Sequence, residues 1–401
     1  MERVLQLAAK RAVQGFRGPA VPSKFDNVVI AMSGGVDSSV AAAMFAGYPN
    51  VRGVYMQNWS ESQSVSDAEP CYERDWRDAQ RVGEHLGIPV EKVNFESDYW
   101  IDVFEPMLQE YDAGRTPNPD IGCNRFVKFG KMRQRLDEQY GAGNYWLVTG
   151  HYSRVLQPAN RDEYHLLRSF YRPKDQSYYL SQIDPKVLNQ LVLPMGHLTK
   201  PEVRELAQEY NVPTADKRDS QGICFVNNSQ HKRFNKFLEH YLQKQEGDII
   251  TVDDGGRKVW GKHQGMWSYT LGQKIGGISL PQADPRYTGA WYVSEKRLDT
   301  NELVIVRGRE NPKLYHNTVL VSQFLPLHHN RENLLQEILR SDNLTLRYRS
   351  LMEPTKIDRI EISQNMQITL QTPQRAMAPG QYACLLSGDR VLGSGPILKT
   401  L

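Results

Sequence analysis

Several things are missing from this chain of 401 residues. No apolar run approaches the roughly 18 residues that cross a bilayer, so membrane insertion is not expected. Only four cysteines occur, Cys71, Cys123, Cys224 and Cys384, far apart and without a C-x-x-C pair, which excludes a paired-cysteine zinc site and a secreted disulfide framework. Net charge is small at +3, so any nucleic-acid surface must be a local patch rather than a general excess of Lys and Arg. Acid is scarce at the start, where Glu2 alone precedes Asp26. In that stretch Arg3, Lys10 and Arg17 recur every seven residues and share one helical face, while Leu5, Ala9, Ala12 and Phe16 gather on the other. A basic amphipathic segment over 1–25 predicts targeting to the mitochondrial matrix, although Ser23 is its only serine. The alternative is a helical extension packed on the surface.

What is present is ordinary globular composition, 40% hydrophobic and 24% charged, in a chain long enough for two or three domains. The most informative stretch is Ala31-Met32-Ser33-Gly34-Gly35-Val36-Asp37-Ser38-Ser39. It joins the apolar run Val28 to Met32 to the alanine-rich Val40 to Ala46. This is a strand, a glycine turn and a helix. Adjacent glycines let the backbone approach an anion, and the hydroxyls of Ser38 and Ser39 stand where the helix dipole is positive, so a phosphate is expected there. No lysine follows the glycines, which argues against the common G-x-x-x-x-G-K-[ST] loop. SGGVDSS instead resembles the PP-loop of ATP pyrophosphatases, which cleave ATP between its α and β phosphates and adenylate an oxygen.

From residue 27 to about 155 short strands alternate with amphipathic helices. Val28 to Met32, Val51 to Met56, Val90 to Phe95 and Tyr145 to Thr149 read as strands; Ser38 to Ala46, Asp75 to Leu86, Tyr99 to Tyr111 and Phe126 to Tyr140 read as helices. That order predicts an α/β doubly wound parallel sheet with ligands at the carboxyl ends of its strands. Met56 ends one strand, positioned to pack on adenine or simply in the core. Gly150, beside His151 in Thr149-Gly150-His151-Tyr152, would let a nucleotide approach. Between Tyr111 and Phe126 the periodicity fails at a loop with two prolines and two glycines, in which Asp120 stands three residues before Cys123. A second glycine-containing loop, Asp219-Ser220-Gln221-Gly222-Ile223-Cys224-Phe225, also presents a thiol. Cys384 lies in an apolar run and is expected to pack; Cys71 lies in a loop and receives no role.

Taken together, SGGVDSS, TPNPDIGC, VTGHY, KDQSYYL, DSQGICF and WSYTLGQ resemble the tRNA-specific 2-thiouridylase family, in family order from about Asn27 to Pro396. With the amphipathic leader, the chain is similar to the family's mitochondrial branch. Ala31 and Gln57 depart from the bacterial pattern, which often has glycine and lysine there. The resemblance implies a PP-loop, HUP-like sheet, a small central domain and a C-terminal β-barrel. The activity implied is ATP- and Mg²⁺-dependent 2-thiolation of a wobble uridine. It implies ATP contacts at Ala31, Met32, Ser33, Gly34, Gly35, Val36, Asp37, Ser38, Met56 and Gly150, with Asp37 near Mg²⁺. Cys224 would carry a persulfide received from a sulfur-relay or cysteine-desulfurase-derived donor protein. Cys123 would resolve it, by releasing sulfide or by closing a disulfide, and Asp120 would hydrogen-bond the base or move a proton. Contacts to the tRNA anticodon stem-loop are implied at Asn118, Pro119, Asp120, His151, Lys174, Asp175, Gln176, Arg347, Tyr348 and Gln381.

Elsewhere the residues suggest scaffolding. Thr199 and Glu202 form a capping box with Pro201 early in the helix, read as structural. A basic helix is expected over His231 to Gln243, carrying Lys232, Arg233 and Lys236 toward RNA. Beyond Gly247, Asp-Gly and Gly-Gly turns between β-rich runs, such as Asp253-Asp254-Gly255-Gly256, argue hairpins of a small barrel. The expected units are thus a targeting segment over 1–25, a catalytic domain over 26–170, an adaptor over 171–246 and a tRNA-binding barrel over 247–401. Two other classes fit parts of the pattern: a PP-loop amidating ligase, which needs no pair of thiols, and a noncatalytic RNA-binding protein, which needs no glycine turn.

Overall fold

The basic start of the chain is folded into the protein rather than appended to it, which corrects the expectation of a segment standing apart over 1–25. Helix α1 (Glu2–Lys10) buries Val4 and Ala8, and Val4 joins the core around Val28, Val36 and Leu206. Its cations face the acidic side of the helix Lys200–Glu209. Arg3 pairs with Glu205 at 3.0 Å and with Glu209, and Arg11 forks onto both Glu202 oxygens at 2.7 and 2.9 Å while covering the Phe170 ring. Hydrogen bonding from Arg11 leads the effects that hold the Glu202 carboxyl down at about 2. Strand β1 (Phe16–Pro19) then pairs antiparallel with 153–158.

The computed structural model describes residues 1–60, 70–219, 234–253, 256–276, 278, 280 and 284–401. Its central sheet is built from β2 (Asn27–Ala31), β3 (Val51–Gln57), β4 (Val90–Asn94), β5 (Tyr145–Val148) and β8 (Leu191–Val192), all parallel, in the order β4-β3-β2-β5-β8. Both faces are covered, which is why the strands read as near-continuous apolar runs; Val28, Val29 and Ile30 are at most 1% exposed. The connections are α2 (Val36–Ala43), α3 (Cys71–Leu86), and α4 (Glu96–Tyr99), which passes through wider π-type turns into α5 (Glu105–Asp112). Next, α6 (Pro119–Gly122) continues through the π-type stretch Cys123–Lys131 into α7 (Met132–Tyr140). Two expectations change here: Cys71 opens a helix, and Asp120 and Cys123 sit on one. The chain leaves β2 toward β3 and β4, then crosses back to β5, so the crevice between β2 and β5 is the switch point where such sheets bind ligands.

After β5 comes the hairpin β6 (Ser153–Pro158) and β7 (His165–Arg168), and after β8 the helix α8 (Lys200–Glu209). Of the basic helix expected over 231–243, residues 231–233 lie outside those described, and Phe234–Leu238 is helical. Two β units follow. Strands β9 (Gly247–Asp253), β10 (Gly256–His263), β11 (Trp291–Arg297) and β12 (Glu302–Arg307) form a four-stranded sheet, with the expected hairpin between β9 and β10. The last unit contains β13 (Tyr315–Val321), β14 (Leu325–Pro326), β15 (Leu344–Arg347), β16 (Thr355–Ile362), β17 (Met366–Arg375), β18 (Tyr382–Ser387) and β19 (Arg390–Thr400). Pairings run from β19 through β13, β17, β16, β15 and β18 back to β19, closing a barrel that leaves those strands no open edge. Cys384 is fully buried in it, as expected, and burial pushes its thiol up to about 12.

The parallel-sheet unit and the barrel are joined by shared structure. Strand β7 pairs with β19, and Glu163 accepts hydrogen bonds from ring nitrogens of His165 at 2.9 Å and His328 at 2.7 Å, tying the hairpin to the barrel. Among the described residues no helix is long and apolar enough to cross a membrane. The deepest tie is ionic. Arg347 and Asp175, both expected at tRNA, have side chains with no exposure and meet at 2.6 Å, with Arg168 at 3.2 Å from the same carboxylate. Burial alone would raise the Asp175 carboxyl, but Arg347 and the backbone N–H groups of Ser169 and Ser177 outweigh it and hold the group below the ordinary range. Tyr348 is also buried, its hydroxyl donating to the Arg375 carbonyl at 3.3 Å. A phosphate cannot reach Arg347, Asp175 or Tyr348; the exposed cation of this stretch is Arg349.

Removing Arg347 leaves Asp175 without its closest counter-ion in a dry site. We expect Arg347→Ala to destabilise the protein by about 3–5 kcal/mol, and the exposed Arg349→Ala by much less. Denaturant unfolding of both variants checks this, and a wild-type midpoint for Arg347→Ala would contradict the assignment.

Candidate active site

The glycine turn follows β2 at the switch-point crevice. Gly34 has φ +70°, and a Cβ there would lie 2.2 Å from the Asp75 carbonyl oxygen, so glycine is required for α3 to approach. Ser33 is exposed at the rim, whereas Met32 and Val36 are buried; Met32 packs where a Cβ on Gly53 would meet its sulfur at 2.4 Å. The hydroxyls of Ser38 and Ser39 turn back onto the Gly35 carbonyl at 3.0 and 2.8 Å. They therefore brace the turn rather than point outward. Met56 and Ala31 pack against the core on one side of the sheet. A Cβ on Gly150 would meet Ser38 N at 2.9 Å, so this glycine brings the end of β5 against the start of α2.

Asp37, in the first turn of α2, accepts on one oxygen, Oδ1, from Tyr152 at 2.8 Å and from Lys200 at 2.7 Å. Among the described residues Oδ2 has no hydrogen-bond partner, which suits an oxygen ligand for a hard divalent cation such as Mg²⁺. Lys200 opens α8, whose capping box at Thr199 and Glu202 is present as expected. That helix does more than scaffold. Lys200 also meets Asp219 at 2.8 Å, and Asp219 gathers Lys174 at 2.7 Å and Arg204 at 2.8 Å. Partial burial would raise Asp219, but these cations, Lys174 and Lys200 foremost, hold it at about 2. Lys217 reaches the Gly34 carbonyl at 2.9 Å and the carboxylates of Asp75 and Asp78. Lysines 200 and 217 and Tyr152 escaped the sequence reading. The only cue was that Lys200 precedes Pro201 at the head of a strongly capped helix.

Asp120 and Cys123 are delivered by helix geometry. Asn118 caps the helix, its side-chain oxygen accepting from Asp120 N at 3.1 Å, and Pro119 follows at the first position. Asn124 closes the turn onto the Asp120 carbonyl at 2.9 Å. Cys123 is 4% exposed, with the Asn58 amide, just past the end of β3, 3.9 Å from its sulfur. Burial pushes the Asp120 carboxyl above the ordinary range, with Lys128 pulling the other way. His151, held by the Thr149 hydroxyl at 2.7 Å and packed against Phe129, is driven by burial down to about 3 and stays neutral. The ends of β2, β3 and β5 therefore converge on one rim that holds the glycine turn, Asp37, His151 and Cys123.

The loop before this helix is gripped from outside its own domain. The barrel contributes the Pro379 carbonyl to Thr116 N at 2.8 Å and the Gln381 side-chain amide to the Thr116 carbonyl at 2.6 Å. The four-stranded sheet contributes Lys296, which donates to the Gly114 carbonyl at 2.8 Å and which burial lowers to about 8. Gln381, expected at tRNA, thus spends its amide on the loop. Of Lys174-Asp175-Gln176, Gln176 accepts from Tyr152 N at 2.9 Å, Asp175 is buried, and Lys174 alone offers a half-exposed charge. Cys224 lies outside the described residues.

Known proteins match this architecture end to end. Residues 26–228 match the tRNA methyl transferase HUP domain family, 235–307 the tRNA methyl transferase PRC-barrel domain, and 329–397 the aminomethyltransferase beta-barrel domain. The chain is 61% identical to the mitochondrial tRNA-specific 2-thiouridylase 1 of Saccharomyces cerevisiae, over 99% of this chain and 97% of that protein. It is 40% identical to the tRNA-specific 2-thiouridylase MnmA of Acinetobacter baylyi, over 93% of this chain and 97% of that protein. With the MnmA of Haemophilus influenzae the identity is 39%, over 93% of each chain. Near-full coverage by these relatives, joined to a glycine turn, an acid and a thiol on one rim, places the chain in the tRNA-specific 2-thiouridylase family.

Proposed function

We propose that the chain converts the wobble uridine of mitochondrial tRNAs to 2-thiouridine, consuming ATP and releasing AMP and pyrophosphate. The observation that carries this reading is that Asp120 and Cys123 leave one helix at the same rim as the glycine turn. An amidating ligase has no use for a thiol there. The mitochondrial matrix as the site of action rests on the 61% identical relative.

The uridine O2 is a poor leaving group, so it attacks the α-phosphorus of ATP and pyrophosphate departs. The backbone of Ser33, Gly34 and Gly35 receives the phosphates, and Mg²⁺ beside Asp37 would screen their charge. Asp120, whose acid form is favoured by burial, hydrogen-bonds the base and moves a proton, while Asn118 fixes its backbone. The terminal sulfur of a Cys224 persulfide then goes to C2 and AMP leaves. Cys123 attacks the inner sulfur of Cys224, freeing the transferred sulfur and leaving a disulfide that a thiol reductant reopens. Lys174 supplies a phosphate contact to the anticodon stem-loop, and His151 a neutral ring beside the base.

Nucleoside mass analysis after incubation with tRNA, ATP, Mg²⁺ and a persulfide donor tests this reading. Wild type should form 2-thiouridine. Cys123→Ser should release pyrophosphate and accept sulfur from the donor, yet form no 2-thiouridine in repeated turnover. Multiple-turnover thiolation by Cys123→Ser without added thiol would remove that residue from the mechanism.

Asp120 gives a pH test. A raised carboxyl stays protonated to higher pH, so a rate needing the acid form falls as pH rises through that raised value. Asp120→Asn should abolish this falling limb and slow the reaction about a hundredfold or more, with tRNA affinity near wild type. An unchanged pH–rate profile in Asp120→Asn would contradict the role.

A further inference from the structure

The glycine turn supplies backbone donors but no cation of its own, and its serine hydroxyls at 38 and 39 are turned inward. A polyphosphate needs positive charge as well as N–H groups. Lys217 reaches the Gly34 carbonyl but is held by the carboxylates of Asp75 and Asp78; a second cation stands on α8. Lys200 occupies the first position of that helix, anchored by the reciprocal Thr199 and Glu202 cap, so its stem starts from a rigid base. Its side chain is 12% exposed, and its ammonium lies between Asp37 Oδ1 at 2.7 Å and Asp219 Oδ1 at 2.8 Å, above the Tyr152 ring. Lys174 and Arg204 crowd the same Asp219 carboxylate, so three cations face two carboxylates beside an anion-binding turn. Within this cluster three cations share two carboxylates, while the adjoining Lys217 is taken up by Asp75 and Asp78.

We propose that Lys200 is a phosphate ligand of this site, binding the β- and γ-phosphoryl groups of ATP and the pyrophosphate they become. The inference rests on the glycine turn being the ATP site, and it assigns the cation that meets the phosphates there. When Asp37 turns its carboxylate to a divalent cation, Lys200 exchanges that oxygen for a phosphoryl oxygen, so no buried charge is left unpaired. Because Asp219 opens the segment leading to Cys224, the same ammonium touches both the nucleotide turn and the root of the sulfur-carrying loop. Lys200 is here a binding residue rather than a proton donor. A lysine serving only to brace two acids would be replaceable without consequence for phosphate.

The test titrates inorganic pyrophosphate with Mg²⁺, and separately AMP, into the full-length wild type, Lys200→Gln and Lys200→Arg by calorimetry. Lys200→Gln removes the charge and keeps hydrogen-bonding capacity in a side chain one atom shorter. Its pyrophosphate affinity should fall about tenfold or more, the loss expected for one charge-assisted hydrogen bond. Lys200→Arg should recover most of it, and AMP affinity should stay near wild type in both. Equal pyrophosphate affinity in wild type and Lys200→Gln would overturn the assignment, as would equal losses for AMP and pyrophosphate, or no pyrophosphate binding by the wild type. Neither tRNA nor sulfur enters these titrations, so a protein that failed to thiolate tRNA would still show the Lys200 effect if the assignment holds.

Discussion

The site depends on one constraint: residues 113–118 are held by other domains before they enter the helix that carries Asp120 and Cys123. The contacts go to main chain, with Pro379, Gln381 and Lys296 taking the N–H of Thr116 and the carbonyls of Thr116 and Gly114. Backbone grips of this kind set the height and direction of the following helix whatever side chains the loop bears. Gly380 makes the grip possible. Its φ is +90°, and a Cβ there would fall 2.8 Å from Thr116 N. The two β units therefore help to set where Asp120 and Cys123 stand.

Electrostatics follows from the same docking. The joint between hairpin and barrel encloses Arg168, Asp175 and Arg347, and further out Lys174, Lys200 and Arg204 meet Asp219 beside the glycine turn. The inner group is sealed and structural; the outer group borders the crevice. Both draw on one short stretch, since Lys174 and Asp175 are adjacent in sequence and face opposite fates. An arrangement in which neighbours serve the core and the site ties substrate geometry to folding of the whole chain.

Much of the catalytic domain was legible because it is local. Apolar runs located β2, β3, β4 and β5 to within a residue or two, though not the two-residue β8, and the glycine turn announced its own backbone. Asn118-Pro119-Asp120 carried a helix start in plain view, yet the surrounding prolines and glycines suggested a loop. What could not be read was pairing across long separations. Arg11 with Glu202, Arg347 with Asp175, Gln381 with Thr116 and Lys200 with Asp37 each join residues whose proximity exists only after folding. The amphipathic helix at the start was legible as such, but its pairs with Glu202, Glu205 and Glu209 were not, because they too form only after folding.

The account is tested most directly by Gly380→Ala, which loads the grip on Thr116 without touching the nucleotide turn or either thiol. Hydrogen exchange across 113–123 and the single-turnover rate of thiolation are measured on the same protein. Faster exchange in that stretch, with thiolation about a hundredfold slower and ATP affinity unchanged, is the predicted result. Wild-type thiolation despite accelerated exchange at 113–123 would contradict it, because the barrels would then not be setting the position of Asp120 and Cys123.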